Sequence, residues 1–179
     1  MKLYLIRHAK TEDSKNGIHQ SDDTPIITDG VDFSVYNDLK PEKVFSSPQV
    51  RAIQTAERLF GEYEVLDYIY ELKHPSSLIG IDKKSSHEMW KKVEDEFRND
   101  PDWRYEDGES FNEVKARATK LLNFLKSQPY ESVAIVSHGI FFRYVLGVNA
   151  LGDLFTPRHV LDLLSFIKWS NLEVKEIEI

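Results

Sequence analysis

The chain has 179 residues, 41% apolar and 30% charged, a composition that fits a globular domain long enough to bury a core without cross-links. It contains no cysteine, which excludes disulfides, thiol nucleophiles and cysteine metal sites, and its net charge of −7 argues against a nucleic-acid partner, since such proteins carry a basic face. No apolar run approaches the roughly 20 residues that span a bilayer, and no positive-plus-apolar leader opens the chain, so a cytoplasmic location without membrane partners is expected.

Residues 2–7 (KLYLIR) predict a short buried strand that runs straight into Arg7 and His8. Residues 12–25 are polar, carry Asn16-Gly17 and Asp22-Asp23, and predict a loop; residues 29–39 are expected to hold a short helix. Residues 43–46 predict a second buried strand. Ser47-Pro48 reads as a serine cap with proline in the first turn of a helix, on which Val50, Ile53, Ala56, Leu59 and Phe60 recur at helical spacing. Residues 63–72 alternate loosely and are rich in Val, Ile and Tyr, which predicts a third strand. A Ser85…Glu88 capping box opens a helix over 85–99, with Trp90, Val93 and Phe97 on one stripe. After a loop over 100–108, a second box, Ser110…Glu113, opens a helix through Ser127. Its buried face is Val114, Ala118, Leu121, Leu122 and Leu125. Residues 132–137 (SVAIVS) are the clearest buried strand in the chain. A helix over 139–151 follows, then a short one starting at Thr156-Pro157, and residues 165–179 predict two strands turning near Ser170-Asn171.

This alternation predicts an α/β fold: a three-layer α/β/α sandwich with a mostly parallel central sheet, forming a single domain over residues 1–179. Residues 73–108, rich in charge and aromatics and poor in strand signal, are expected to form a small cap insertion over the site.

In open α/β sheets, ligands bind beyond the carboxyl ends of the strands. Arg7-His8, Ser46-Ser47 with Arg51, Glu71, and His138-Gly139 each follow a predicted strand. Alone, each has a bland reading: a polar strand end, a solvated helix arginine, an exposed carboxylate. Together they form a phosphate-handling set. Arginine grips phosphate oxygens with a rigid fork and keeps its charge. A neutral histidine is a nitrogen nucleophile, a second, protonated one can donate to the transferring group, and a carboxylic acid can protonate a leaving oxygen and later activate water. No metal or other cofactor is required, and His8, His19, His74, His87, His138 and His159 lack zinc-ligand spacing.

The strings LIRHAKT, GIHQSDDTPIITDG, VFSSPQVRAIQTA and VAIVSHG, in this order over most of the chain, resemble the histidine phosphatase superfamily, also called the phosphoglycerate mutase-like family. The resemblance implies that fold and assigns roles by position. His8 stands where the family has the nucleophile that becomes phosphohistidine, Arg7 and Arg51 where it clamps phosphate, and His138 where it has the second histidine of the pocket. Glu71, in IYELKHP, stands at the proton donor, with isoleucine replacing a common leucine before it. Gly108-Glu109-Ser110 resembles a Gly-Glu-Ser element of the family, which makes Glu109 a rival acid. Ser14, His19, Gln20, Ser21 and Gly139 are the expected substrate-binding residues. Ala9 and Lys10 replace a common glycine and glutamate, Ser14 an asparagine and Ser21 a glycine, and the last two weaken the likeness to a phosphoglycerate mutase site.

The implied activity is that of a metal-independent phosphomonoesterase of the histidine acid phosphatase type, working through phosphohistidine on a small phosphorylated metabolite. The same four core residues also suit mutase-type phosphoryl transfer, a phosphoprotein phosphatase, or a lapsed enzyme that only binds phosphate. Lys73, His74, Lys83 and Lys84 fit a substrate with further negative charge or a plain solvated face. Trp90 and His159 read as structural, and Trp103 and Tyr105 as better candidates for substrate contact. Nothing in the sequence bears on oligomeric state.

Overall fold

A strand buried on both faces of a sheet needs apolar side chains at nearly every position. In the computed structural model, which describes the backbone of residues 1–179 and all side chains except those of Glu88, Met89, Trp90 and Lys92, the SVAIVS segment meets that demand. It forms β4 (Ser132–Ser137), the middle strand of a five-stranded sheet of order β3-β2-β4-β1-β5. β1 (Lys2–Arg7) and β2 (Lys43–Ser46) flank it in parallel. The two-residue β3 (Glu64–Val65) extends the β2 side in parallel, and β5 (Val174–Glu178) closes the β1 side antiparallel. β5 carries Lys175, Glu176 and Glu178 on this edge, and such charges discourage further strand pairing.

Side chains alternate across the sheet. Leu3, Leu5, Phe45, Val133 and Ile135 join the core that also holds Val114, Leu121 and Leu125 of α4 (Phe111–Lys126) and Phe141 and Val145 of α5 (Gly139–Leu151). Ile6, Val44, Ala134 and Val136 pack with Ala52 and Ala56 of α2 (Val50–Phe60). Helices on both faces make the expected three-layer α/β/α arrangement. α1 (Glu12–Asn16), α3 (His87–Asn99) and α6 (Pro157–Phe166) complete the helical set. The Ser110–Glu113 capping box forms, and every predicted apolar position of α4 is buried. No helix among the described residues is long and apolar enough to cross a membrane.

Five local expectations are corrected. Residues 12–16 form α1 rather than loop, because Thr11 and Ser14 cap it reciprocally and Gly17 ends it in the left-handed region (φ 72°). Ser47 does not cap α2: the helix starts at Val50 after an extended Gln49, and the Ser47 hydroxyl turns to His138. Of residues 63–72, only Glu64–Val65 is strand. Beyond it, Leu66 and Ile69 are buried anchors, and Arg117 Nη1 donates to the carbonyls of Tyr68 and Tyr70, both at 2.9 Å, replacing the partner strand these residues lack. The tail contributes one strand, since α6 continues to Phe166. α3 begins after Ser86 rather than Ser85; Glu88 and Trp90, the other half of that predicted box and its predicted core tryptophan, lie outside the described side chains.

Candidate active site

The sheet register places the site. Arg7 is level with Ser137, and Ser46 with Val136. Three parallel strands therefore end together, and the next residues, His8, His138 and Ser47, emerge side by side. The ladder continues one step past the strands, with His8 N bonded to Ser137 O at 3.0 Å and Ser47 N to Val136 O at 2.9 Å. A cavity of about 590 Å³ opens beyond this edge and is lined by Arg7, His8, Arg51, Glu71 and Gly139, among others.

His8 is 3% exposed. Burial, then the charges of Arg51 and Arg7, push its pKa well below the usual histidine value, so the ring is neutral at pH 7. Its Nδ1 lies 2.7 Å from the Ala9 carbonyl. A carbonyl only accepts, so Nδ1 carries the proton and Nε2 holds the lone pair. The His138 ring lies 5.1 Å away, centroid to centroid, and its Nε2 is 2.8 Å from Ser47 Oγ. Burial and Arg51 hold His138 neutral too, so the expected protonated second histidine is not present before a ligand binds.

Arg7 Nη1 donates to the Trp169 carbonyl, and Arg51 Nη1 to the Ser21 carbonyl at 2.7 Å. These contacts use one nitrogen of each guanidinium. Arg7 Nε, Arg51 Nε and His138 Nδ1 are buried and find no partner among the described residues. Gly139 permits the close approach of the arginines to the start of α5: a Cβ there would lie 3.3 Å from Arg143 Nη1 and 3.5 Å from Arg7 Nε.

Glu71 lies beyond the sheet on the crossing segment, not at a strand end. Its Oε1 accepts from the backbone N–H of Leu72 at 3.0 Å and Phe141 at 2.9 Å, and its Oε2 from that of Ile140 at 3.2 Å. The carboxyl group thus sits at the N-terminus of α5, where it satisfies backbone N–H groups that the helix leaves free. The rival acid, Glu109, is engaged elsewhere. It forms a two-pronged pair with Arg117 (2.9 and 2.8 Å), accepts from Tyr70 and from Lys73 N, and does not line this cavity.

His19, Gln20 and Ser21 line the cavity, with His19 Nε2 3.0 Å from Ser86 Oγ. Ser14 does not: its hydroxyl closes the Thr11 capping box. Sequence reasoning missed three residues. Arg143 lines the cavity and ties the carbonyls of Gly139, Leu163 and Ile167 together. Its signal was a lone charge, one helical turn past Gly139, in an otherwise apolar helix. Gln49 donates to Asp22 and accepts from Glu71 N, bracing that loop, and Arg117 had no local signal. Lys83, exposed as a residue, lines the cavity and loses enough hydration there to lower its pKa. In this acidic chain the cavity is a cationic spot: Arg7, Arg51, Lys73, Lys83 and Arg143 outnumber Asp22, Asp23 and Glu71.

A Caenorhabditis elegans 6-phosphofructo-2-kinase/fructose-2,6-bisphosphatase is 29% identical over 154 residues, covering 80% of this chain but 33% of that protein, so the chain spans about a third of that relative. A Hydrogenobacter thermophilus protein provisionally named a phosphoserine phosphatase is 30% identical over 154 residues, covering 77% of this chain and 73% of its own length. The solved structure of a mycobacterial glucosyl-3-phosphoglycerate phosphatase superimposes with a TM-score of 0.78 at 21% identity, over 99% of this chain and 90% of the other. That likeness shows a common fold. The sequence model of the histidine phosphatase superfamily (branch 1) matches residues 3–153, nearly the whole sheet and the helices that cover it, and the chain belongs to that superfamily.

Proposed function

We propose that the protein is a phosphomonoesterase that works without a metal, through a phosphohistidine at His8, on a small phosphorylated metabolite. The observation that carries this reading is a set of buried nitrogens without partners among the described residues, the donors Arg7 Nε and Arg51 Nε with His138 Nδ1, gathered around a neutral histidine. Buried polar groups are normally bonded. A phosphoryl group supplies the acceptor oxygens that such donors need, and its charge suits the cationic wall. The names of the two relatives, a fructose-2,6-bisphosphatase and a phosphoserine phosphatase, support the same class of reaction.

The residues divide the chemistry as follows. His8 Nε2 attacks phosphorus in line with the ester oxygen. Arg7 and Arg51 hold the equatorial oxygens as charge spreads over them. Glu71, in its protonated form, gives its proton to the departing alcohol as the P–O bond breaks. Its carboxylate then takes a proton from water, whose oxygen attacks the phosphohistidine and releases phosphate with His8 neutral again. Residues 73–108 cover the cavity in this reading, contributing Lys73, His74 and Lys83 to its wall.

The test is hydrolysis of 4-nitrophenyl phosphate in chelator, with acid-stable and acid-labile phosphate separated after rapid quench. Wild-type protein is expected to turn over and to trap an acid-labile phosphoryl group, and His8→Ala to do neither. Full activity in His8→Ala, or dependence on added metal, would sink the proposal.

A further inference from the structure

A second cavity, of about 320 Å³, adjoins the first and is lined by Leu72, Phe97, Trp103, Tyr105, Ile140 and Leu164, among others. The two share a wall: Leu72, His74, Lys83 and Ile140 line both. That wall includes the residues that flank Glu71. Leu72 follows it in the chain, and its N–H and that of Ile140 bind the Glu71 carboxylate. A group leaving phosphorus on the Glu71 side therefore faces this second cavity.

The cavity offers a hydroxyl few partners beside a wide apolar wall. Among the described lining residues, Lys73, Lys83 and Glu94 are exposed, Glu109 is committed to Arg117 and His19 Nε2 meets Ser86 Oγ, which leaves His74, the Trp103 N–H and the Tyr105 and Tyr144 hydroxyls as its other polar side-chain groups. Its body is aliphatic and aromatic, with Trp103 and Tyr105 rings 6.2 Å apart. Burying an unpartnered hydroxyl there would cost more than the contact returns, whereas apolar surface gains on leaving water.

We infer that this side cavity receives the leaving alcohol, and that the alcohol is an alkyl or aromatic one rather than a sugar or polyol. The inference deepens the phosphomonoesterase reading and rests on it for turnover, though not for binding.

The test compares 2-phenylethyl phosphate with glycerol 3-phosphate, whose alcohols are similar leaving groups, so that any difference reads the cavity. Wild-type kcat/KM should favour the phenylethyl ester by about tenfold or more. Calorimetry on His8→Ala should show the same order of affinity. Trp103→Ala and Leu164→Ser, on a loop and on α6, should each narrow that preference several-fold; two separate elements guard against one variant misfolding. Equal or tighter binding of glycerol 3-phosphate overturns the cavity assignment, whatever the turnover. A clear binding preference with no turnover of either ester supports the assignment and overturns the phosphatase reading instead.

Discussion

Ser47 Oγ lies 2.8 Å from His138 Nε2, joining the residue after β2 to the residue after β4. Both side chains are buried, so the bond fixes which way the His138 ring faces, 5.1 Å from His8. Ser47→Ala removes that bond and frees the ring. A single lost hydrogen bond should cost about 1 kcal/mol of stability, whereas turnover should fall at least tenfold, because misplacement near 1 Å is costly at a reacting centre. Melting curves and steady-state kinetics on one preparation separate the two effects. Unchanged kcat would show that the ring is held without Ser47.

Glu71 and Glu109 should separate in the same way. Glu71→Gln leaves the backbone bonds at α5 partly satisfied but removes the proton donor, so kcat should drop on the order of 10²–10³-fold. Glu109→Ala strands Arg117, whose side chain is 11% exposed. That variant should lose about 3 kcal/mol of stability and retain turnover when kept below its melting point. Reversal of the two phenotypes would move the acid role to Glu109.

Acid should destabilise the protein through histidines that folding desolvates. Burial is the largest cause of lowered pKa in His8, His19, His74 and His138, and it brings His74 to about 4 from 6.5. The unfolded chain takes up these protons near pH 6.5 and the folded one does not, so stability is full above that pH and falls as pH drops toward 4. His74 alone accounts for about 3 kcal/mol across that window. Denaturant melts from pH 7 to pH 4 should show a shallower decline in His74→Gln than in wild type. Parallel curves would show that His74 does not contribute.

Gly147 tests the core on the far side of the site. A Cβ there would lie 2.1 Å from Cε2 of Phe155, a ring 1% exposed between α5 and α6. Gly147→Ala should destabilise by about 1–3 kcal/mol through overpacking, despite the better helix propensity of alanine. A neutral or raised melting temperature would mean that Phe155 can move aside. Serine at the same position should behave similarly or worse.

The sequence alone determined the elements whose own residues dictate them. SVAIVS reads as a central strand because its four inner positions are all apolar, and α4 reads as a helix because its capping box and apolar stripe are local. Arg7, His8 and His138 were legible for the same reason, each being adjacent to a strong strand signal. What only the tertiary structure decided were partnerships between distant segments. Ser47 looks like a helix cap until His138 competes for it, and residues 66–72 look like strand until Arg117 takes their carbonyls. Hydrogen-bonding groups are satisfied by whatever the fold brings near, and a sequence window holds only the neighbours along the chain.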